Sequence, residues 1–246
     1  MIPRELIEEL DESLVARHLA ALREAIDAAA ARAGRPAGSV ELLVASKYYA
    51  PGTIPVLVDG GATLLGENRM DALLAKQQLL ADVAGGRPAP TWDFIGELQS
   101  RKVHTLIGQV ARIHSLASES AVRKLRAARD AAPERPLPEL LVQVNVAGED
   151  SKGGVSPADL PALLELAGDL PVRGLMTMPP FTADAQTSRR CFAELRELAS
   201  RHGLAQLSMG TSQDALVAVQ EGATVVRLGG VVYDEARLSE LLATAN

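Results

Sequence analysis

Lys47 follows the apolar run Leu42-Leu43-Val44-Ala45, so its amine stands at the C-terminal end of a stretch that reads as a buried strand. Desolvation disfavours an ammonium ion, and a neutral amine attacks an aldehyde to form a Schiff base. A lysine that snorkels to water from a strand end has the same local sequence. Three other features bear on the choice. Ser212, in QLSMGTS, offers a hydroxyl and a backbone N–H where a helix begins. Gly229-Gly230, after VVRL, lets a ligand approach the backbone closely. Arg227 alternates with Val225 and Gly229 on one strand face. It is either an inward cation or an outward residue paired with a surface carboxylate.

These residues need a scaffold that gathers strand ends. Strands are expected within Glu41–Tyr49, Thr63–Asn68, Thr91–Gly96, Arg112–Ser118, Glu139–Val146, Val172–Met178, Gln206–Ser212 and Val225–Gly230. Helical patterns lie between them, the clearest over Met70–Val83, Glu119–Ala132 and Thr187–His202. Ser156-Pro157-Ala158-Asp159 resembles a capping box with proline at the first helical position. Pro3–Ala33 carries Leu6, Ile7, Leu10, Leu14, Leu19, Leu22 and Ile26 at helical spacing, and Gly34 and Pro36 end it. Strands this apolar have no wet face, which argues for a parallel sheet covered by helices. The expected fold is α/β, a (β/α)8 TIM barrel with an extra N-terminal helix. Residues 1–246 read as a single domain, with an N-terminal helical region over 1–38 and the barrel over 39–246. A doubly wound open sheet is the alternative, weakened by the lack of G-x-G-x-x-G after the first strand.

Composition narrows the function. A net charge of −6 argues against a nucleic-acid surface or an anionic membrane partner. No apolar run approaches the ~20 residues of a membrane helix. The acidic, amphipathic N-terminus is unlike a secretory signal, and a single cysteine, Cys191, fits a cytoplasmic location. Barrel sites lie at strand C-termini, here Lys47, Asn68, Gly96, Ser118, Asn145, Met178, Ser212 and Gly229-Gly230. They hold no carboxylate pair for glycoside hydrolysis, and the four histidines lack ligand spacing, so no metal site is expected. A phosphate site often follows strands seven and eight of such a barrel. Lysine, phosphate cradle and arginine together point to an aldehyde bearing a phosphate, pyridoxal 5′-phosphate (PLP).

With these residues on the page, the chain resembles the YggS/PROSC family of pyridoxal-phosphate homeostasis proteins. The matching segments are VASK at Lys47, GENR around Asn68, WDFIGELQSRK from Trp92, QVNVAGEDSKGGV from Gln143, RGLMTM from Arg173, LSMGTSQD from Leu207 and VVRLGG from Val225. The family is similar to the N-terminal domain of alanine racemase, a fold type III PLP barrel. The resemblance implies that Lys47 holds PLP as an aldimine and that Arg227 faces the pyridine nitrogen. It also implies that Ser212, Gly229 and Gly230 surround the phosphate, that Asn68 lies near the ring, and that Met176 belongs to the cofactor-binding set. Arginine is too weak an acid to protonate the ring, which leaves a poor electron sink. Racemases of this fold class need a second acid–base group and a second domain, and little sequence follows Tyr233. A monomeric carrier that buffers or supplies PLP, with apo PLP enzymes as transient partners, is therefore expected before an enzyme. An amino-acid racemase or decarboxylase of limited rate, and a barrel that has lost the cofactor, are the competing readings.

Three departures from the family touch the phosphate side. Gly230 replaces the usual threonine, Thr211 offers a replacement hydroxyl, and Asp234 adds a carboxylate that would repel a phosphate if it pointed inward. Lys152, in AGEDSKGGV, is either an amine that exchanges imines with Lys47 or a solvated loop residue.

Overall fold

The computed structural model describes residues 6–83, 85–149, 153–182 and 184–244. Among them eight parallel strands close into a barrel in chain order. They are β1 (Glu41–Ala45), β2 (Leu64–Glu67), β3 (Thr91–Phe94), β4 (Arg112–Leu116), β5 (Glu139–Gln143), β6 (Val172–Met176), β7 (Gln206–Ser208) and β8 (Val225–Leu228). Closure comes where β1 meets β8, with Leu43 opposite Arg227 and Val44 opposite Leu228. The barrel expected from the alternating pattern is present, and the open sheet is not.

Strand alternation divides the interior. Val44, Leu65, Ile113, Val142, Leu175 and Val226 face outward into one core shared with the helices, while Leu43, Leu64 and Val225 pack together in the lumen with Ile95. The helices are α1 (Glu12–Arg32), α2 (Ile54–Asp59), α3 (Met70–Asp82), α4 (Val103–Leu106), α5 (Glu119–Ala131), α6 (Leu160–Ala167), α7 (Arg189–Arg201), α8 (Ala215–Gln220) and α9 (Glu235–Ala243).

Two boundaries differ from the sequence reading. The strands stop one to four residues earlier, because polar side chains and glycine take over the backbone. After Ser208, Gly210 turns the chain at φ 91°, and Asp214 accepts the Thr211 N–H at 2.8 Å. The second difference is at the N-terminus. The helical spacing of Leu6, Ile7 and Leu10 does not continue into α1, because the Asp11 carboxylate accepts the Leu14 N–H at 2.7 Å and starts the helix there. Ile7 is extended instead and pairs in parallel with Tyr49. Its N–H donates to Tyr48 O and its carbonyl accepts from Ala50 N–H, both at 2.9 Å. This short ladder clamps the segment that follows Lys47. Half of the expected capping box forms: Ser156 Oγ accepts the Asp159 N–H at 3.1 Å, while the Asp159 carboxylate takes the Ser156 hydroxyl at 2.6 Å in place of its N–H, and regular helix begins at Leu160.

Replacing Asp11 by alanine removes one N-cap, which costs about 1 kcal/mol. For a chain of this size that lowers Tm by about 2–4 °C. Asp11→Ala should show this shift by calorimetry, and Asp11→Asn should largely restore it.

Candidate functional site

Lys47 lies in a 3-10 turn, Ser46–Tyr48, directly after β1. The turn rests on a buried carboxylate. Glu67, at the end of β2, forms an ion pair with Lys76 of α3, and both side chains are almost fully buried. Lys76 Nζ also donates to Ser46 O at 2.7 Å, and Ser46 Oγ lies 3.0 Å from Glu67 Oε2. The other Glu67 oxygen accepts the Asn68 N–H at 2.7 Å. One acidic side chain thus fixes the backbone on either side of the lysine turn and the asparagine turn. Lys47 itself is half-buried, with Nζ 5.1 Å from the centroid of the Tyr48 ring. Among the described residues its amine has no hydrogen-bond or ion-pair partner.

The same turn is tied to the end of β8. Tyr49 Oη donates to Gly229 O at 3.0 Å. A Cβ at residue 229 would fall 2.3 Å from Tyr48 Cε2, so only glycine fits beneath that ring. Burial, reinforced by Tyr233 and Tyr48, pushes the Tyr49 hydroxyl well above the usual phenol range and keeps it a donor.

Arg227 points into the lumen. Its guanidinium donates to Ser208 O at 2.9 Å, to Ser208 Oγ, and to Thr177 O at 3.0 Å. Burial pushes it down to about 10, against the opposing pull of Asp214, so it remains a cation at neutral pH. Behind it runs a buried polar chain. His114 Nδ1 is 2.8 Å from Ser208 Oγ, and Nε2 is 3.0 Å from Asp93 Oδ2, which also accepts from Arg112 Nε at 2.9 Å. Arginine can only donate, so Ser208 Oγ accepts from Arg227 and passes its own proton to His114 Nδ1. The remaining imidazole N–H then goes to Asp93. Burial holds His114 below the ordinary imidazole value despite the Asp93 carboxylate, which fits this neutral tautomer.

The residues after β7 and β8 form a set of unpartnered donors. The Ser212 hydroxyl has no partner among the described residues. The N–H groups of Ser212, Gln213, Gly230 and Val231 meet no acceptor there either. The Thr211 hydroxyl faces the Asp214 carboxylate at 3.3 Å, so it shapes the turn and is not the free hydroxyl expected from the sequence. Asp234 lines the same cavity as Ser212, with both of its oxygens engaged locally. Its Oδ1 caps α9 by accepting Ala236 N–H at 3.1 Å and Arg237 N–H at 3.2 Å, and its Oδ2 pairs with Arg237 Nε at 3.1 Å.

The other expected residues divide into two groups. Met176 ends β6 opposite Ser208 and is buried, and alternation with outward Leu175 puts it on the lumen face. Asn68 is half-buried and lines a cavity of about 310 Å³ with Arg69, Phe94 and Gln99. Ser118, by contrast, caps α5, Asn145 Nδ2 donates to Glu149 O at 2.8 Å, and Met178 is exposed. Gly96 acts through its backbone, since a Cβ there would fall 2.1 Å from Asn68 O. Lys152 lies outside the described residues. Sequence reasoning missed Tyr48, Tyr49, Glu67, Lys76, His114 and Ser208. Strand alternation carried a signal for one link, because Asp93 sits between Trp92 and Phe94, both outward.

Residues 17–236 match the family model described as alanine racemase, N-terminal domain. A pyridoxal phosphate homeostasis protein of Aquifex aeolicus is 38% identical over 88% of this chain and 96% of its own length. That of Pseudomonas aeruginosa is 39% identical over 90% and 95%. This chain belongs to the pyridoxal phosphate homeostasis protein family. The solved structure of PipY from Synechococcus elongatus PCC7942, with PLP bound, superimposes with a TM-score of 0.74 at 31% identity, covering 89% of this chain and all of that one.

The buried imidazole sets a pH dependence. His114 is held neutral among Asp93, Arg112, Ser208 and Arg227, whereas the unfolded chain takes up a proton at the ordinary value of 6.5. The unfolded state then binds more protons, so this contribution to stability is complete above 6.5 and is lost as pH falls through the lower folded value. Thermal unfolding compared at about pH 7.5 and about pH 5.5 should show a larger loss in the wild type than in His114→Gln. Equal losses would place the pH dependence elsewhere.

Proposed function

We propose that this chain is a cytoplasmic carrier that binds PLP at Lys47 and buffers or supplies it to apo PLP enzymes. The observation that carries this reading is the unpartnered Lys47 amine, on a turn that Tyr48 and Tyr49 join to Gly229, the residue before the free N–H groups of Gly230 and Val231. The residues present fit the cofactor: an amine for an aldehyde, N–H groups and a hydroxyl for a phosphate, and a buried cation at Arg227. Bound PLP supplies an electrophilic aldehyde carbon, to which Lys47 Nζ would bond with loss of water. The Ser212 hydroxyl and the 229–230 backbone would hold the phosphate, Asn68 and Met176 would border the ring, and Arg227 would donate to its nitrogen.

The same geometry disfavours turnover. A guanidinium that ionises at about 10 does not hand its proton to a pyridine at neutral pH. Tyr49 cannot serve as a base, because its hydroxyl is committed to Gly229 and raised far above neutrality. The relatives are named for homeostasis, which supports the carrier reading. No helix among the described residues is long and apolar enough to cross a membrane. We further propose that the carrier acts as a monomer.

Lys47→Ala should abolish the visible absorbance with PLP and the adduct fixed by borohydride, as mapped by peptide mass spectrometry. A main adduct on another lysine in the wild type would overturn the assignment. Loss of one charge-assisted hydrogen bond costs about 1.5–3 kcal/mol. Ser212→Ala should therefore weaken PLP by that amount and pyridoxal much less. Equal weakening of both would remove Ser212 from the phosphate site. Chiral analysis after incubation with L- or D-alanine should show no racemisation above that of free PLP. Turnover lost in Lys47→Ala would establish an enzyme instead.

A further inference from the structure

Arg237 lies beside the proposed phosphate site without belonging to any motif that pointed to it. It sits in the first turn of α9, and its guanidinium reaches back over Gly230. A Cβ on residue 230 would fall 2.7 Å from Arg237 Nη1 and 3.2 Å from its Cδ, so the side chain occupies the space that any larger residue at 230 would need. Only one nitrogen of the fork is engaged: Nε pairs with Asp234 at 3.1 Å. Nη1 and Nη2 meet no acceptor among the described residues. The side chain is 41% exposed and lines a cavity of about 660 Å³ together with Ser212, Gln213 and the carboxylates Asp234 and Glu240, of which Asp234 is paired with Arg237 itself.

We infer that Arg237 is a phosphate-binding residue of this chain, and that Gly230 is what admits it. A guanidinium with two free terminal nitrogens matches phosphate oxygens, and a dianion is the ligand that gains most from such a fork. Ser212 lines the cavity and supplies a hydroxyl and an N–H, and Gly230, whose Cβ position the arginine covers, supplies a further N–H. These donors are neutral, and Arg237 adds the formal positive charge. Asp234 keeps the arginine in place by pairing with Nε, which leaves the two terminal nitrogens for the ligand. Arg227 does not fill this role, because Ser208 and Thr177 hold its guanidinium inside the lumen, where its remaining N–H groups are assigned to the ring nitrogen. The consequence is selectivity: the chain distinguishes PLP from pyridoxal through Arg237, and that preference weakens with salt.

The inference rests on PLP as the ligand of Lys47, and its test separates the two. Apo wild type, Arg237→Gln and Arg237→Lys are titrated with PLP and with pyridoxal by visible absorbance, at low and high ionic strength, after circular dichroism has established folding. Arg237→Gln should weaken PLP about tenfold, leave pyridoxal unchanged, and flatten the salt dependence. Arg237→Lys should retain the salt dependence at intermediate affinity. A wild-type ratio of PLP to pyridoxal affinity in Arg237→Gln would overturn the role of Arg237 while leaving the cofactor reading intact. Absence of a PLP signal in the wild type would sink both.

Discussion

The lysine turn depends on an ion pair that is costly by itself. Burying Glu67 and Lys76 strips two charges of water, and their mutual attraction offsets that only when the remaining donors and acceptors are also satisfied. Here they are. Glu67 takes Lys76, Ser46 Oγ and the N–H groups of Asn68 and Arg69, while Lys76 also takes the Ser46 carbonyl. Removing either partner would leave a buried charge uncompensated, at about 3–5 kcal/mol. The pair therefore binds three elements, the turn after β1, the turn after β2, and α3. It holds Lys47 through the Ser46 carbonyl and Asn68 through its own N–H, and engages neither side chain.

A second buried network does the same for Arg227 from inside the barrel. Leu43, Leu64, Ile95 and Val225 form an apolar cluster in the lumen, and Asp93, Arg112, His114 and Arg227 share that lumen with it. Asp93 and neutral His114 and Ser208 link the two arginines through hydrogen bonds whose direction follows from arginine being donor-only. Arg227 is consequently fixed in place by Ser208 and Thr177, and its ionisation is lowered by burial without being lost. The first network joins the ends of β1 and β2 to α3, whereas the second crosses the lumen from β3 and β4 to β7 and β8. Tyr48 and Tyr49 join the lysine turn to the end of β8 across the β1–β8 seam, and the Ile7–Tyr49 pairing braces them from outside.

The barrel was legible because its strands are uniformly apolar and regularly interrupted by helical patterns. Strand ends were less so. Residues such as Ser46, Lys47 and Gly210 continue the composition of a strand while their backbones turn, and the cause lies in side chains far along the chain. Lys76 is 30 residues from the Ser46 carbonyl that it holds, and Tyr49 is 180 from Gly229. No local window contains those pairs. Lys76 also illustrates how charge misleads. On a helix of the barrel's outer ring a lysine reads as solvated, and only the position of α3 over β2 reveals that it is buried. The N-terminal error has the opposite origin, since Leu6, Ile7 and Leu10 fit the helical period but Asp11 takes over the first turn.

The two halves of the proposed site are built to different tolerances. On the amine side, Lys47 is set by buried contacts that cannot shift without exposing a charge or a tyrosine to strain. On the phosphate side, the cation is a half-exposed arginine paired with a half-exposed aspartate in one turn of helix. Such a pair contributes little to folding, about 0–1 kcal/mol, and rearranges readily. The proposed carrier role needs this division: one amine among many would have to be fixed to capture the aldehyde, while the anion grip would have to be loose enough to release it. Gly230 follows from the same requirement. A side chain at that position would force Arg237 from its place over the Gly230 backbone, so the absence of a side chain is itself the structural feature that permits a movable cation there.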